Sequence, residues 1–185
     1  MNRKIIKPTP FGTVGIIWTA VGQYPKIVRV LLTTPELPAE DRGLELYPNS
    51  RVSSCAEINV TATQIKRLLE GEDIAFSLDI ADMSLSGGFQ KRVLRAEHQI
   101  PRGSVSTYRL ISTHLDKPNG ARAVGNALAN NPFPLIVPCH RAIRSDRHLG
   151  GYQGGLEMKR ALLDREGLAF DKAGRVACHR FYYET

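Results

Sequence analysis

The chain has 185 residues, room for one sizeable core or two small ones. With 42% apolar and 23% charged residues it reads as a folded soluble protein, and no apolar run is long enough to span a membrane. The net charge of +7 is unevenly placed: residues 1–86 hold 9 Lys+Arg against 10 Asp+Glu, residues 87–185 hold 16 against 8, and a basic surplus of that size in one half attracts a polyanion.

Two strands are predicted first, Val14 to Val21 and Ile27 to Leu32, both β-branched and apolar, with residues 22–26 as the turn between them. The Pro-rich, acidic stretch 35–50 reads as a loop. A short helix is expected from Gln64 to Glu70, capped by Thr61 or Thr63 and ended by Gly71. Asp73 to Ile80 alternates apolar and polar residues and predicts another strand, and residues 81–88 read as a linker. The second half is mainly helical. Phe89 to His98 forms one helix, stopped at Pro101-Arg102-Gly103. A second, capped by Ser106 or Thr107, runs to about Leu115, and residues 116–120 break the chain. A third runs from Ala121 to Asn130, and a fourth from Glu157 to Glu166 with Gly167 as its terminator. The expected organisation is an α/β domain with linker over 1–86 and a mainly helical domain with a short tail over 87–185, the latter the domain that the resemblance given below makes DNA-binding and catalytic. The second and third helices of the latter have the look of a helix-turn-helix.

Three cysteines without paired spacing suit free thiols in a reducing compartment, and Met1-Asn2-Arg3-Lys4 leads into no signal-like apolar segment. One cysteine stands apart. Cys139 lies between Pro138 and His140, after the apolar run Leu135-Ile136-Val137 and before the turn Gly150-Gly151-Tyr152-Gln153-Gly154-Gly155. A lone cysteine is ordinarily inert packing. A neighbouring histidine, itself oriented by a carboxylate, is what turns a thiol into a nucleophile, directly or through a water. The helix around Arg122 is built from small residues, Ala121, Ala123, Gly125, Ala127 and Ala129, which permit either tight helix packing or close approach to a DNA groove with Arg122 projecting. Asn131 precedes Pro132, so its backbone is held out of the helical region.

The ordered motifs Phe89-Gln90, Ile100-Pro101-Arg102-Gly103, Thr107-Tyr108, Arg122-Ala123-Val124-Gly125, Asn131-Pro132, Pro138-Cys139-His140-Arg141, Gly150-Gly151-Tyr152, and Lys159 with Leu162-Leu163 before Glu166-Gly167 make this stretch of about eighty residues resemble the O6-alkylguanine-DNA alkyltransferases. The first eighty residues match that family only loosely. The resemblance implies an α+β protein, its N-terminal α/β domain carrying an antiparallel, ribonuclease H-like sheet and its C-terminal domain a helix-turn-helix. It implies a suicidal methylated-DNA–protein-cysteine methyltransferase. The alkyl group of O6-alkylguanine passes irreversibly to Cys139, in a single turnover, after minor-groove binding and base flipping.

Residue by residue, the resemblance makes Cys139, His140, Glu166 and Asn131 the catalytic group, with Glu166 orienting His140 and Asn131 a hinge near the cysteine. Tyr108, Ala142, Tyr152, Gln153 and Gly154 form the base pocket. Arg122, Ala121, Ala123, Gly125, Arg141 and Thr107 meet DNA, with Arg122 filling the gap left by the extruded base. The implied partner is double-stranded DNA containing O6-alkylguanine, with O4-alkylthymine left open. A monomer without cofactor is expected, located in the cytoplasm at the nucleoid, or in the nucleus of a eukaryote.

The sequence departs from the family pattern at Ser145-Asp146-Arg147-His148, where glycine commonly follows the aspartate, and at Gln153, where a small serine is common. The zinc ligands of some members have no counterparts, and Cys55 alone makes no structural site, so no metal is expected. Cys178-His179-Arg180 repeats the tripeptide of the site without its proline or glycine turn and reads as coincidence. Two other readings are a damage sensor, which would lack the reactive cysteine, and a turnover cysteine hydrolase, which would leave the paired helices unexplained.

Overall fold

A computed structural model describes residues 1–22 and 24–184; of the expected turn at 22–26, Gln23 lies outside the described residues. The chain is α+β and divides into two units. The first comprises Met1–Leu85 with Pro132–Ile136, the second Ser86–Asn131 with Val137–Thr185.

The first unit is built on a four-stranded sheet in the order β3-β2-β1-β4. β2 (Val14–Val21) and β3 (Tyr24–Leu32) pair antiparallel, as their apolar runs require, and β1 (Asn2–Ile6) adds to β2 antiparallel from Asn2↔Trp18 to Ile6↔Val14. β1 escapes the sequence pattern because Arg3 and Lys4 interrupt its apolar character. β4 (Arg51–Val52) pairs parallel to β1 over two residues. The expected 35–50 loop contains a helix, α1 (Ala39–Leu46), which buries only Ala39 and Gly43. Gly43 lies against Leu31 and Ile17, so the contact is made by small residues that give no apolar periodicity. α2 (Ala56–Leu69) begins eight residues before the expected start, because the residue at its cap, Cys55, makes no side-chain cap bond and so leaves no signal. Ile58, Thr61, Ala62, Ile65, Leu68 and Leu69 form its buried face at helical spacing.

The strand expected over 73–80 does not form. That segment ends in a single 3-10 turn, Leu78–Ile80, whose start is held by the Ser77 hydroxyl accepting the Asp79 N–H, and one bridge, Ile27 to Ala81, touches the sheet. The N–H of Val30 donates to Pro132 O at 2.8 Å, which ties the 132–136 segment to β3 within this unit.

The second unit packs α3 (Gly88–Gln99), α4 (Tyr108–His114), α5 (Ala121–Ala129) and α6 (Gly155–Arg165) around the two-residue parallel pair β5 (Ser106–Thr107) and β6 (Ala142–Ile143). That pair, with Ser106 opposite Ala142 and Thr107 opposite Ile143, brings the start of α4 beside the residues that follow Cys139. Thr107 caps α4, its hydroxyl accepting the Leu110 N–H at 3.1 Å. α6 stops at Glu166, and Gly167, at φ 88°, turns the chain while the Leu168 N–H bonds back to Leu163 O. Among the described residues no helix is long and apolar enough to cross a membrane.

Candidate active site

Pro138 leads into a 3-10 turn, Cys139–Arg141, all three of whose residues are buried. Cys139 lines a cleft of about 390 Å³ with Tyr108, Gly125, Leu128, Ala129, Gly151, Tyr152 and Gln153. Burial pushes its thiol up to about 12, although a hydrogen bond from the Asn131 side chain and the charge of Lys159 pull the other way. Cys139 is therefore a neutral thiol at rest. Asn131 is buried and bridges the site. Its Nδ2 donates to Val137 O at 3.2 Å, and its own carbonyl accepts Gln153 Nε2 at 2.7 Å.

His140 is fully buried, with Nε2 2.8 Å from Glu166 Oε1. Burial lowers the imidazole pKa, against the opposing pull of Glu166, so the ring is neutral at pH 7. A neutral ring that gives its Nε2–H to a carboxylate has its lone pair on Nδ1, and Nδ1 is buried without a partner among the described residues. The network thus leaves a basic nitrogen with no hydrogen-bond partner among the described residues.

Glu166 ends α6, where the helix dipole disfavours a carboxylate. Burial would also raise its pKa, yet the hydrogen bonds from His140 and Arg141 bring it down to about 2. Arg141 binds both carboxylate oxygens, Nε to Oε2 at 3.0 Å and Nη2 to Oε1 at 2.8 Å, while its Nη1 donates to Ile100 O at 2.6 Å. Arg141 was expected at DNA. It is 9% exposed, and its fork is spent on Glu166 and Ile100, where together with His140 it keeps the buried carboxylate ionised. Thr107, also expected at DNA, is 2% exposed and serves as the α4 cap.

The remaining expected residues divide by exposure. Arg122 and Ala123 are exposed on α5, Ala121 is half-buried, and Gly125 lines the cleft. Tyr108 and Tyr152 both line the cleft. The Tyr152 hydroxyl is buried without a partner, and its ring meets His140 edge-on at 6.2 Å. Ala142 is buried with its carbonyl already accepting Lys159, and Gly154 precedes α6. Gly150 is required twice over: its φ is +69°, and a Cβ there would stand 2.7 Å from the Tyr108 hydroxyl.

Two buried charged side chains were not assigned a role from the sequence. Lys159 donates to Ala142 O at 2.7 Å, Leu149 O at 2.6 Å and Gly151 O at 3.3 Å, which pins the loop behind the cleft. Glu97 is fully buried on α3, and burial raises its pKa to about 8, against the charges of Lys159 and Arg141 and a backbone hydrogen bond from Ala142. Each carried a signal. Lys159 shares the buried face of α6 with Met158, Leu162 and Leu163, and Glu97 that of α3 with Val93 and Leu94. Among the described residues no group of three or more His, Cys, Asp or Glu side chains could hold a metal ion.

A profile described as "6-O-methylguanine DNA methyltransferase, DNA binding domain" matches residues 88–168, which span every element around the cleft. The methylated-DNA–protein-cysteine methyltransferase of Methanothermobacter thermautotrophicus is 33% identical over 162 residues, covering 88% of this chain and 84% of that relative. The chain belongs to the methylated-DNA–protein-cysteine methyltransferase family. The methyltransferase also resembles two solved structures from Mycobacterium tuberculosis. One is the O6-methylguanine methyltransferase, at 29% identity and a TM-score of 0.71, covering 89% of this chain and 92% of that one. The other is OGT in complex with DNA, at 27% and 0.71, covering 90% and 92%. As a family member it is a methyltransferase, and DNA repair is the process its family name implies.

Proposed function

We propose that this methyltransferase takes the alkyl group from O6-alkylguanine in double-stranded DNA onto Cys139, irreversibly and once per molecule. The observation that carries this is Cys139 at the wall of a cleft, next to a neutral histidine whose free nitrogen is Nδ1 and whose other nitrogen is held by an ionised carboxylate. Base, orienter and nucleophile are the parts an activated thiol needs. With substrate bound, the Cys139 proton passes toward His140 Nδ1, directly or through a water. The thiolate then attacks the alkyl carbon. The S–C bond forms, the C–O6 bond breaks, and its electron pair goes to the purine. The departing guanine anion takes a proton on its ring and His140 gives up the one it received from the thiol, so one proton leaves sulfur, one reaches the purine, and the reaction is neutral overall. The thioether has no leaving path, which makes the event single-turnover.

The reacting carbon is inaccessible inside a duplex, so the base must leave the stack. The small-residue face of α5, the exposed Arg122 and the break between α4 and α5 support a helix-turn-helix entering the minor groove. Arg122 would occupy the vacated space, and Tyr108 would meet the extruded base. The base pocket on this reading comprises Tyr108, Ala142, Tyr152, Gln153 and Gly154. The partner is alkylated duplex DNA, engaged by a monomer. The test is mass spectrometry of the full chain after incubation with a duplex holding one O6-methylguanine. One methyl adduct per molecule, mapped to Cys139, is expected. No adduct would favour a damage sensor, and repeated release of product would favour a hydrolase.

A further inference from the structure

Gln153 is the long, flexible polar side chain of the cleft that crosses between two walls. It starts from the turn before α6 and ends on Asn131, past the end of α5, where Nε2 donates to the Asn131 carbonyl at 2.7 Å. A carbonyl only accepts, so this bond fixes which way the amide points: nitrogen toward Asn131, Oε1 away. Asn131 in turn gives a side-chain hydrogen bond to Cys139. The Gln153 strap and Cys139 thus line the same cleft and share Asn131 as a partner, and it is this cleft that an alkyl substituent on the reacting base must enter. Apart from Cys139 and the apolar Leu128, the other lining residues are small or rigid: Gly125, Ala129, Gly151 and the two tyrosine rings. None of those can withdraw or extend.

We infer that Gln153 determines alkyl-group specificity, its tethered side chain bounding the space beside Cys139 so that methyl is accepted in preference to bulky groups. This rests on the proposed acceptor role of Cys139. Apolar pockets discriminate between substituents differing by a methylene by roughly 10- to 200-fold. A side chain held at one end by a hydrogen bond yields less readily than a free one.

The experiment measures single-turnover rates of the full chain on one duplex carrying O6-methyl-, O6-ethyl-, O6-butyl- or O6-benzylguanine. The wild-type rate should fall about tenfold or more from methyl to benzyl. Gln153→Ser removes the strap and should raise the benzyl-to-methyl rate ratio about tenfold. Gln153→Leu keeps the bulk but loses the hydrogen bond to Asn131 and should give a ratio between those of the wild type and Gln153→Ser; a ratio equal to that of Gln153→Ser or of the wild type would overturn the part assigned to bulk or to the tether, respectively. A flat wild-type series overturns the inference without any variant. So does a Gln153→Ser ratio within about twofold of the wild type. Absence of a methyl adduct on wild-type Cys139 would instead sink the acceptor reading itself, so the two failures are distinguishable.

Discussion

His140 and Glu166 meet at 2.8 Å, Nε2 to Oε1, although they are 26 residues apart in the chain, and Arg141 closes on the same carboxylate from the other side. One acid thus serves two partners: it fixes the tautomer of His140 and neutralises a buried guanidinium. Glu166→Gln removes both services. The transfer rate should drop ~100- to 10,000-fold, the range for positioned acid–base groups, and its pH profile should change shape. Single-turnover kinetics against pH check this. An unchanged rate and profile would remove Glu166 from the mechanism.

The nucleophile prediction separates three thiols. Cys139→Ala should abolish transfer and keep DNA binding, whereas Cys55→Ala and Cys178→Ala should leave transfer intact. Peptide mapping of the alkylated protein reads the result directly. A methyl group on Cys178 would contradict the assignment.

Arg122 distinguishes base extrusion from simple phosphate anchoring. Its side chain is exposed on α5. If it fills the hole left by the flipped base, Arg122→Ala should slow repair of methylated duplex ~10-fold or more at saturating protein, because part of the unstacking cost is no longer offset. Reaction with a free O6-alkylguanine, which needs no extrusion, should change far less. Equal losses on both substrates would make Arg122 structural, and a loss confined to duplex affinity would make it a phosphate contact.

Two buried carboxyls should shape the pH dependence of stability in opposite ways. Glu166 has a folded pKa near 2, below its unfolded value, so its contribution is present above about pH 4.5 and is lost as pH falls toward 2. Glu97 has a folded pKa near 8, above its unfolded value, so the folded state is favoured below about pH 4.5 and loses that advantage as pH rises toward 8. Each pKa unit is worth about 1.4 kcal/mol, so both effects amount to a few kcal/mol. Glu97→Leu should therefore raise the melting temperature at pH 8 and flatten the alkaline fall. Calorimetry of both proteins from pH 5 to 9 checks this, and parallel curves would show that Glu97 is not the group responsible.

Much of this protein was determined by its sequence alone. β2, β3 and the four helices of the second unit are legible because each satisfies a local rule: β-branched runs, apolar spacing, or a cap such as Thr107 and a terminator such as Gly167. The proposed nucleophile is a local motif as well, because Pro138-Cys139-His140 is contiguous. What tertiary structure decided is whatever depends on partners distant in the chain. α1 forms because small residues fit against the sheet, and residues 73–80 stay out of the sheet despite their alternation, since an alternating pattern needs a neighbouring edge before it becomes a strand. Arg141, a DNA contact by the resemblance, is drawn inside because the buried Glu166 carboxylate accepts its fork alongside the His140 hydrogen bond. The Gln153 tether to Asn131 and the carbonyl cage around Lys159 likewise arise only when loops far apart in sequence close on one cleft. A side chain's hydrogen-bonding capacity is written in its type, but which groups satisfy it is set by the packed fold.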